Sequence, residues 1–350
     1  MPLGAPPIDR RVVLLGLAGT TIATSAGAQQ GGHAHHGGMY ESLKQPGRVG
    51  IPAEAATQHV TDSPAKRAAN PGAWSSKAPL PIPRSEMAWA TVRDGQMHLL
   101  GGYGEQRVDR NYHHIYDPKS DKWLEGPPLP IGANHVGVCV VEGRLYALGG
   151  FVEQNRKPHD QCFVLDPGAT QWRRIAALPK PCGAIGDTFA DKKSVDWHYA
   201  YDTKADRWEP RRPMPLGRDH TGVVYTNGLI HLIGGRVDSF HTNSNLHHAY
   251  DPKADKWEAR RPFPTARSGH GAVLLKGKIF CMGGEGTDRV YGQNEAYDVA
   301  TDTWESYAPM LTPRHGLGAV AIGDAIYVAG GGPVMGGGIQ SAINEAFSLG

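Results

Sequence analysis

The chain has 350 residues, with 36 Lys and Arg against 34 Asp and Glu, a formal net charge of +2, 46 glycines and 27 prolines. A balance so near neutrality gives no field that would recruit nucleic acid or an anionic membrane surface. Glycine and proline at these levels suit many short strands joined by turns, not long helices.

The first element is predicted to be an export signal over residues 1–28. Arg10 and Arg11 precede a short apolar run, Val12 to Ala23, and then Ala26-Gly27-Ala28, a small-residue cleavage pattern. The run is too short to span a bilayer, and the arginine pair resembles a twin-arginine signal. The mature protein is expected to begin near Gln29, without stable membrane insertion, and to be periplasmic or secreted. Residues 29–72 are polar and aperiodic and read as an exposed tether or a strap over the folded body. They contain His33, His35 and His36 in GGHAHHGG, a flexible tract expected to hold metal only loosely. No cofactor is predicted.

From residue 73 onward the chain repeats. Trp74, Trp123, Trp172, Trp208, Trp257 and Trp304 are spaced by 49, 49, 36, 49 and 47 residues, a period that implies a radial repeat architecture. Each unit opens with a proline-bearing lead-in segment. A strand, a tight turn and a second strand ending in a glycine pair follow: Gly101-Gly102, Gly149-Gly150, Gly234-Gly235, Gly283-Gly284 and Gly330-Gly331. After a polar loop come a third strand, a turn and the tryptophan strand. Tyr116, Tyr201, Tyr250 and Tyr297 each stand seven residues before a tryptophan, which predicts opposed aromatic pairs across a hairpin. Asn344-Glu345-Ala346-Phe347 mirrors Asn294-Glu295-Ala296-Tyr297 but lacks a following tryptophan strand, whereas the repeat begins with a surplus one around Trp74. Pairing the two would close a ring. The short interval before Trp208 predicts a third unit without most of its first two strands, and no other segment is expected to replace them. Cys139, Cys162, Cys182 and Cys281 lie where they cannot pair and are expected to be free thiols.

The four-strand unit, the glycine pair and the Tyr–Trp spacing resemble the kelch family over residues 74–350. The resemblance implies an all-β fold: a six-bladed kelch β-propeller closed by the N-terminal strand, with blade three truncated. Among its relatives are exported six-bladed propellers, sialic-acid mutarotases included, and seven-bladed copper-radical sugar oxidases.

Strand direction places the lead-in segments and the long loops on one face, the expected ligand face. Arg218, Arg267 and Arg314 each lie 16 residues before a glycine pair, and Arg84 is one residue off that register. Guanidinium groups converging on a concavity would suit carboxylate or polar sugar groups, and related propellers bind acidic ligands with arginines at this position. His135, His220, His270 and His315 lie beside them, with Asn134 and Asp219. A second ring stands three residues before each third-strand aromatic position: His113, Cys162, His198, His247, Asn294 and Asn344. The loops after the glycine pairs add Glu105, Arg107, Asp109, Glu153, Arg156, Asp238, His241, Asn243, Glu285, Asp288, Arg289 and Tyr291.

The expected partner is a sugar, another small acidic ligand or a peptide, bound on this face. A mutarotase or epimerase of the sialic-acid type is the alternative. A copper-dependent oxidase is disfavoured, since no cysteine stands beside a tyrosine on the histidine-rich face. The residues alone do not choose between a binder and an enzyme.

Overall fold

The computed structural model describes residues 11–15, 59–86, 90–154, 157–183, 193–239 and 241–350. They are built almost wholly of strands, with a single short 3-10 turn at Glu105–Arg107 among the described residues. No helix of these residues is long and apolar enough to cross a membrane. His33, His35, His36 and Arg156 lie outside the described residues.

Each complete unit is a four-stranded antiparallel blade. Unit four shows the pattern, with Gly222–Thr226, Leu229–Ile233, His247–Asp251 and Lys256–Ala259 hydrogen-bonded in chain order. Its first turn is Asn227-Gly228, with φ of 50° and 81°. Positive φ at both central residues is the primed turn that matches the twist of two paired strands, and Asn-Gly tolerates it. The first strands of the complete units, Gly222–Thr226, Gly271–Leu275, Gly318–Ile322, Thr91–Arg93 and Gly137–Val141, pack side by side in that order. They form the inner wall of a propeller.

The Tyr–Trp spacing gives the expected opposed pairs, Tyr116–Trp123, Tyr201–Trp208, Tyr250–Trp257 and Tyr297–Trp304. Their ring centroids are 4.9–5.3 Å apart. Each tyrosine hydroxyl donates to the aspartate of the following turn, as from Tyr250 to Asp255 at 2.7 Å. That carboxylate also accepts the Arg212 amide of the preceding unit at 2.9 Å. Every repeat tryptophan donates its indole N–H to a carbonyl of the preceding unit, from Trp74 to Ala308 at 2.7 Å through Trp304 to Arg261 at 3.1 Å. The last unit closes on Ala73–Ser76, which puts Phe347 opposite Trp74 as the chain-end match predicts.

Five blades are complete. The expectation of six is corrected at unit three, where His198–Asp202 and Arg207–Pro210 remain of the usual four strands. Arg11–Leu15 lies antiparallel to His198–Asp202, with Leu15 opposite His198 and Arg11 opposite Asp202. It makes unit three a three-stranded sheet and corrects the expectation that no segment would stand in for a missing strand. An apolar run read as an export signal thus also fits the open edge of a blade. Removing residues 1–28 is expected to unpair that edge. Amide exchange along residues 198–202 should quicken about tenfold, a loss of ~1.4 kcal/mol of local protection, and unchanged exchange would contradict the pairing.

Residues 59–72 hold to the body as a strap. Lys66–Arg67 runs parallel to the outer strand of unit five, and His59–Val60 runs parallel to Val290–Tyr291. All four cysteines are free. Burial pushes the Cys139 and Cys162 thiols up to about 12, which makes them inert.

Candidate functional site at the centre of the lead-in face

The four arginines predicted to face a ligand are fully buried and already occupied. Arg218 donates to the carbonyls of Gly234 at 2.9 Å and Leu232 at 3.1 Å, and meets His248 Nδ1 at 3.0 Å. Arg84 repeats this with Gly101 at 2.6 Å and His114 Nδ1 at 2.8 Å. In units five and six a carboxylate replaces the imidazole: Arg267 to Glu295 at 2.6 Å and Arg314 to Glu345 at 3.1 Å. The arginine therefore ties the lead-in segment to the end of strand two and the start of strand three. Burial without a carboxylate partner pushes Arg84 down to about 9 and Arg218 to about 10. Internal carboxylates thus meet Arg267 and Arg314, while carbonyls and an imidazole hold Arg84 and Arg218, and none of the four is turned to an external ligand.

The second ring is also internal. His113, His198 and His247 use Nδ1 to reach the carbonyls of Pro127, Arg212 and Arg261 at 3.1, 3.0 and 3.3 Å. Asn294 and Asn344 donate to Ala308 and Ala78 at 3.3 and 3.1 Å. These same five carbonyls accept the indoles of Trp172, Trp257, Trp304, Trp74 and Trp123. Each is thus a doubly used acceptor at a joint between units. Desolvation pushes His113 and His247 down to about 3 and His198 to about 4, so all three stay neutral. His270 is buried between units four and five against Phe263, at 5.1 Å between centroids, away from the centre of the face. Burial next to Arg267 holds it well below the ordinary imidazole range.

What the structure does bring together is a polar cluster over the axis. Two residues after the arginine position stand Glu86, His135, His220, Gly269 and Gly316, all in the left-handed region, with φ of 48°, 49°, 54°, 64° and 56°. Glycine takes that conformation freely, while a side chain there costs roughly 1–2 kcal/mol. Three units carry a long polar side chain at this strained position, and these three converge. Glu86 Oε2 lies 3.1 Å from His135 Nε2, which lies 3.1 Å from His220 Nε2. The contact joins units two and four directly, across the inner strands that unit three lacks. Gly316 leaves the required space, because a Cβ there would come within 2.7 Å of the Glu86 carboxylate.

Charged neighbours complete the cluster. Arg236 donates to Asp219 at 2.9 Å and to Glu285 at 3.0 Å, and approaches His220 Nε2 at 3.0 Å. His315 places Nδ1 on the Gly332 carbonyl at 3.0 Å and Nε2 between Glu86 at 3.0 Å and Glu285 at 3.3 Å. Both carboxylates favour the imidazolium, which outweighs desolvation and raises His315 to about 9. Hydrogen bonds from His135 and His315 hold the Glu86 carboxyl well below its usual range against the opposing effect of burial. Ser194 of unit three donates to Asp219 at 2.5 Å. Three carboxylates, Glu86, Asp219 and Glu285, thus surround Arg236 and His315.

Of the predicted residues, His135, Asp219, His220, His315 and Glu285 join this cluster, and Asn134 and Asp109 support it through a 2.6 Å hydrogen bond. Glu86, Ser194 and Arg236 are additions. Positional equivalence with His135 and His220 was the available signal for Glu86. Of the other described loop candidates, Asp238 accepts the Ser194 amide at 2.7 Å, and Asp288 and Arg289 form an exposed pair. None of the four cysteines belongs to the cluster, so the cross-linked copper chemistry has no thiol at this centre.

A disc of antiparallel four-stranded blades, with a polar centre on its loop-bearing face, defines a β-propeller. Residues 186–332 match the KLHDC2/KLHL20/DRC7 Kelch-repeats domain, and residues 133–179 match the Kelch motif. Over these residues the chain carries kelch repeats. It is similar to Kelch-like protein terF of Aspergillus terreus, 28% identical over 47% of this chain and 43% of that protein. Kelch-like protein 35 of Mus musculus is 32% identical over 34% of this chain and 20% of its own length. Kelch repeat and BTB domain-containing protein 13 of Homo sapiens is 29% identical over 48% and 39%. The chain thus matches less than half the length of each of these relatives.

Proposed function

We propose that the protein is an exported binding propeller whose ligand, a sugar or a polar group of a peptide, docks over the centre of the lead-in face. The carrying observation is that all six repeats deliver a polar side chain to one point: Glu86, His135, Ser194, Asp219 with His220, Glu285 and His315. With the four arginines enclosed and carboxylates in excess, hydroxyl- and ammonium-bearing ligands suit the cluster better than acidic ones. The His135 side chain, 10% exposed, is the contact point for solvent and ligand. Thermal-shift screening with neutral and acidic sugars and with cationic peptides tests this reading. A responding ligand should lose at least tenfold in affinity, about 1.4 kcal/mol, on His135→Ala, and an unchanged response would reject the site.

A second reading, a sugar mutarotase or epimerase, is favoured by the two carboxylate–imidazole pairs, Glu86–His135 at 3.1 Å and Asp219–His220 at 2.7 Å. Such pairs can accept and return a proton at a sugar hydroxyl. NMR exchange between anomers of a responding sugar separates enzyme from binder.

A further inference from the structure

We infer that Glu86, His135 and His220 form a binding site for a divalent first-row transition ion, reached from the lead-in face. The inference goes beyond the polar-ligand reading and does not depend on it.

The two imidazoles are oriented from behind. His135 Nδ1 is hydrogen-bonded to Asn134 Oδ1, and His220 Nδ1 to Asp219 Oδ1 at 2.7 Å. Both partners are oxygen acceptors, so both Nδ1 atoms carry hydrogen and each ring turns its Nε2 inward. Fixing Nδ1–H on a carboxylate or amide oxygen is how metal-bound histidines are generally held. The inward atoms stand close together: His135 Nε2 lies 3.1 Å from His220 Nε2 and 3.1 Å from Glu86 Oε2. The three ligand atoms all lie within 4.8 Å of one another. The distance also fits, because nitrogen and oxygen atoms about 2.0–2.2 Å from one metal ion stand roughly 3–3.5 Å from each other. Two imidazoles and a carboxylate suit zinc and its first-row neighbours.

The charges around the site decide between this trio and its neighbour. Glu86, Glu285 and His315 also lie close enough to share an ion. His315, however, has a carbonyl at Nδ1 and two carboxylates at Nε2, an arrangement for a doubly protonated ring that has no lone pair to give. Its positive charge is matched by those carboxylates. Arg236 approaches His220 Nε2 at 3.0 Å, yet it is held independently by Asp219 and Glu285. Binding of an ion at His220 Nε2 displaces that contact and leaves Arg236 its two carboxylates. The partly exposed His135 side chain marks the access path.

The test is Zn2+ titration of the full chain by calorimetry, with His33, His35 and His36 replaced by Ser so that the N-terminal tract contributes nothing. One equivalent should bind saturably. Glu86→Gln, His135→Gln and His220→Gln should each weaken binding about 100-fold, and Asp219→Asn about tenfold, through the orientation of His220. His241→Gln, on an exposed loop, should leave it unchanged, and melting curves confirm that each variant is folded. Visible absorption of bound Co2+ provides a second readout, and its bands should vanish in the same three variants. Absence of stoichiometric binding in the tract-free protein overturns the inference. So does binding that survives the folded variants among Glu86→Gln, His135→Gln and His220→Gln.

Discussion

Arg267→Ala is expected to destabilise the propeller by about 3–5 kcal/mol, because it leaves a buried carboxylate without its cation. Arg267 and Glu295 are both fully enclosed, 2.6 Å apart, and the guanidinium also holds the carbonyls of Gly283 at 2.7 Å and Cys281 at 3.1 Å. Glu295 retains only hydroxyl donors, Thr265 at 2.8 Å and Ser63. Arg218→Ala supplies the contrast. It removes equivalent carbonyl contacts but strands a neutral imidazole, His248, and its cost should be smaller, about 1–3 kcal/mol. Denaturant unfolding of the two variants checks the ordering. Equal losses would mean that the carbonyl contacts dominate and the ion pair adds nothing.

Trp304→Ala is expected to cost about 3–5 kcal/mol, as for other buried aromatic side chains cut back to a methyl group. The indole is 8% exposed, lies 5.3 Å from Tyr297 and 5.1 Å from Phe263, and donates to the Arg261 carbonyl at 3.1 Å. Trp304→Phe keeps most of the packing and loses the donor, so it should cost only about 1 kcal/mol from the hydrogen bond, plus a smaller packing loss. Thermal melts of the two variants separate packing from the joint. If Trp304→Phe were as damaging as Trp304→Ala, the hydrogen bond would be the larger contribution.

The parts of this fold that were legible in the sequence are those set by local spacing. Tyr250 and Trp257 are seven residues apart because a short turn makes them opposite, and closure was visible because Phe347 occupies a tyrosine position with no tryptophan after it. The placement of the arginines was legible only as equivalence. Whether a guanidinium points to solvent or to the Gly283 and Cys281 carbonyls depends on strands that follow it, and no motif records that. Glu86 was missed because its counterparts are two histidines, His135 and His220, and two glycines, Gly269 and Gly316, which share its backbone conformation but carry no carboxylate. Arg236 and Ser194 become partners of Asp219 only once loops from units three and four meet. Arg11–Leu15 was read only as part of an export signal, because its pairing with residues nearly two hundred positions away leaves no local motif.

The doubly used carbonyls divide the molecule mechanically into a hoop and a hub. Every tryptophan clip between neighbouring units, Trp208 to Ala176 and Trp257 to Arg212 among them, is made by a fourth strand and the segment that follows one. Unit three keeps both of those strands and lacks the inner pair, so the circumference stays fastened on either side of it. The hub can then be rebuilt without opening the hoop. A missing inner wall becomes a means of bringing residues of two non-neighbouring units face to face, and it places His135 against His220.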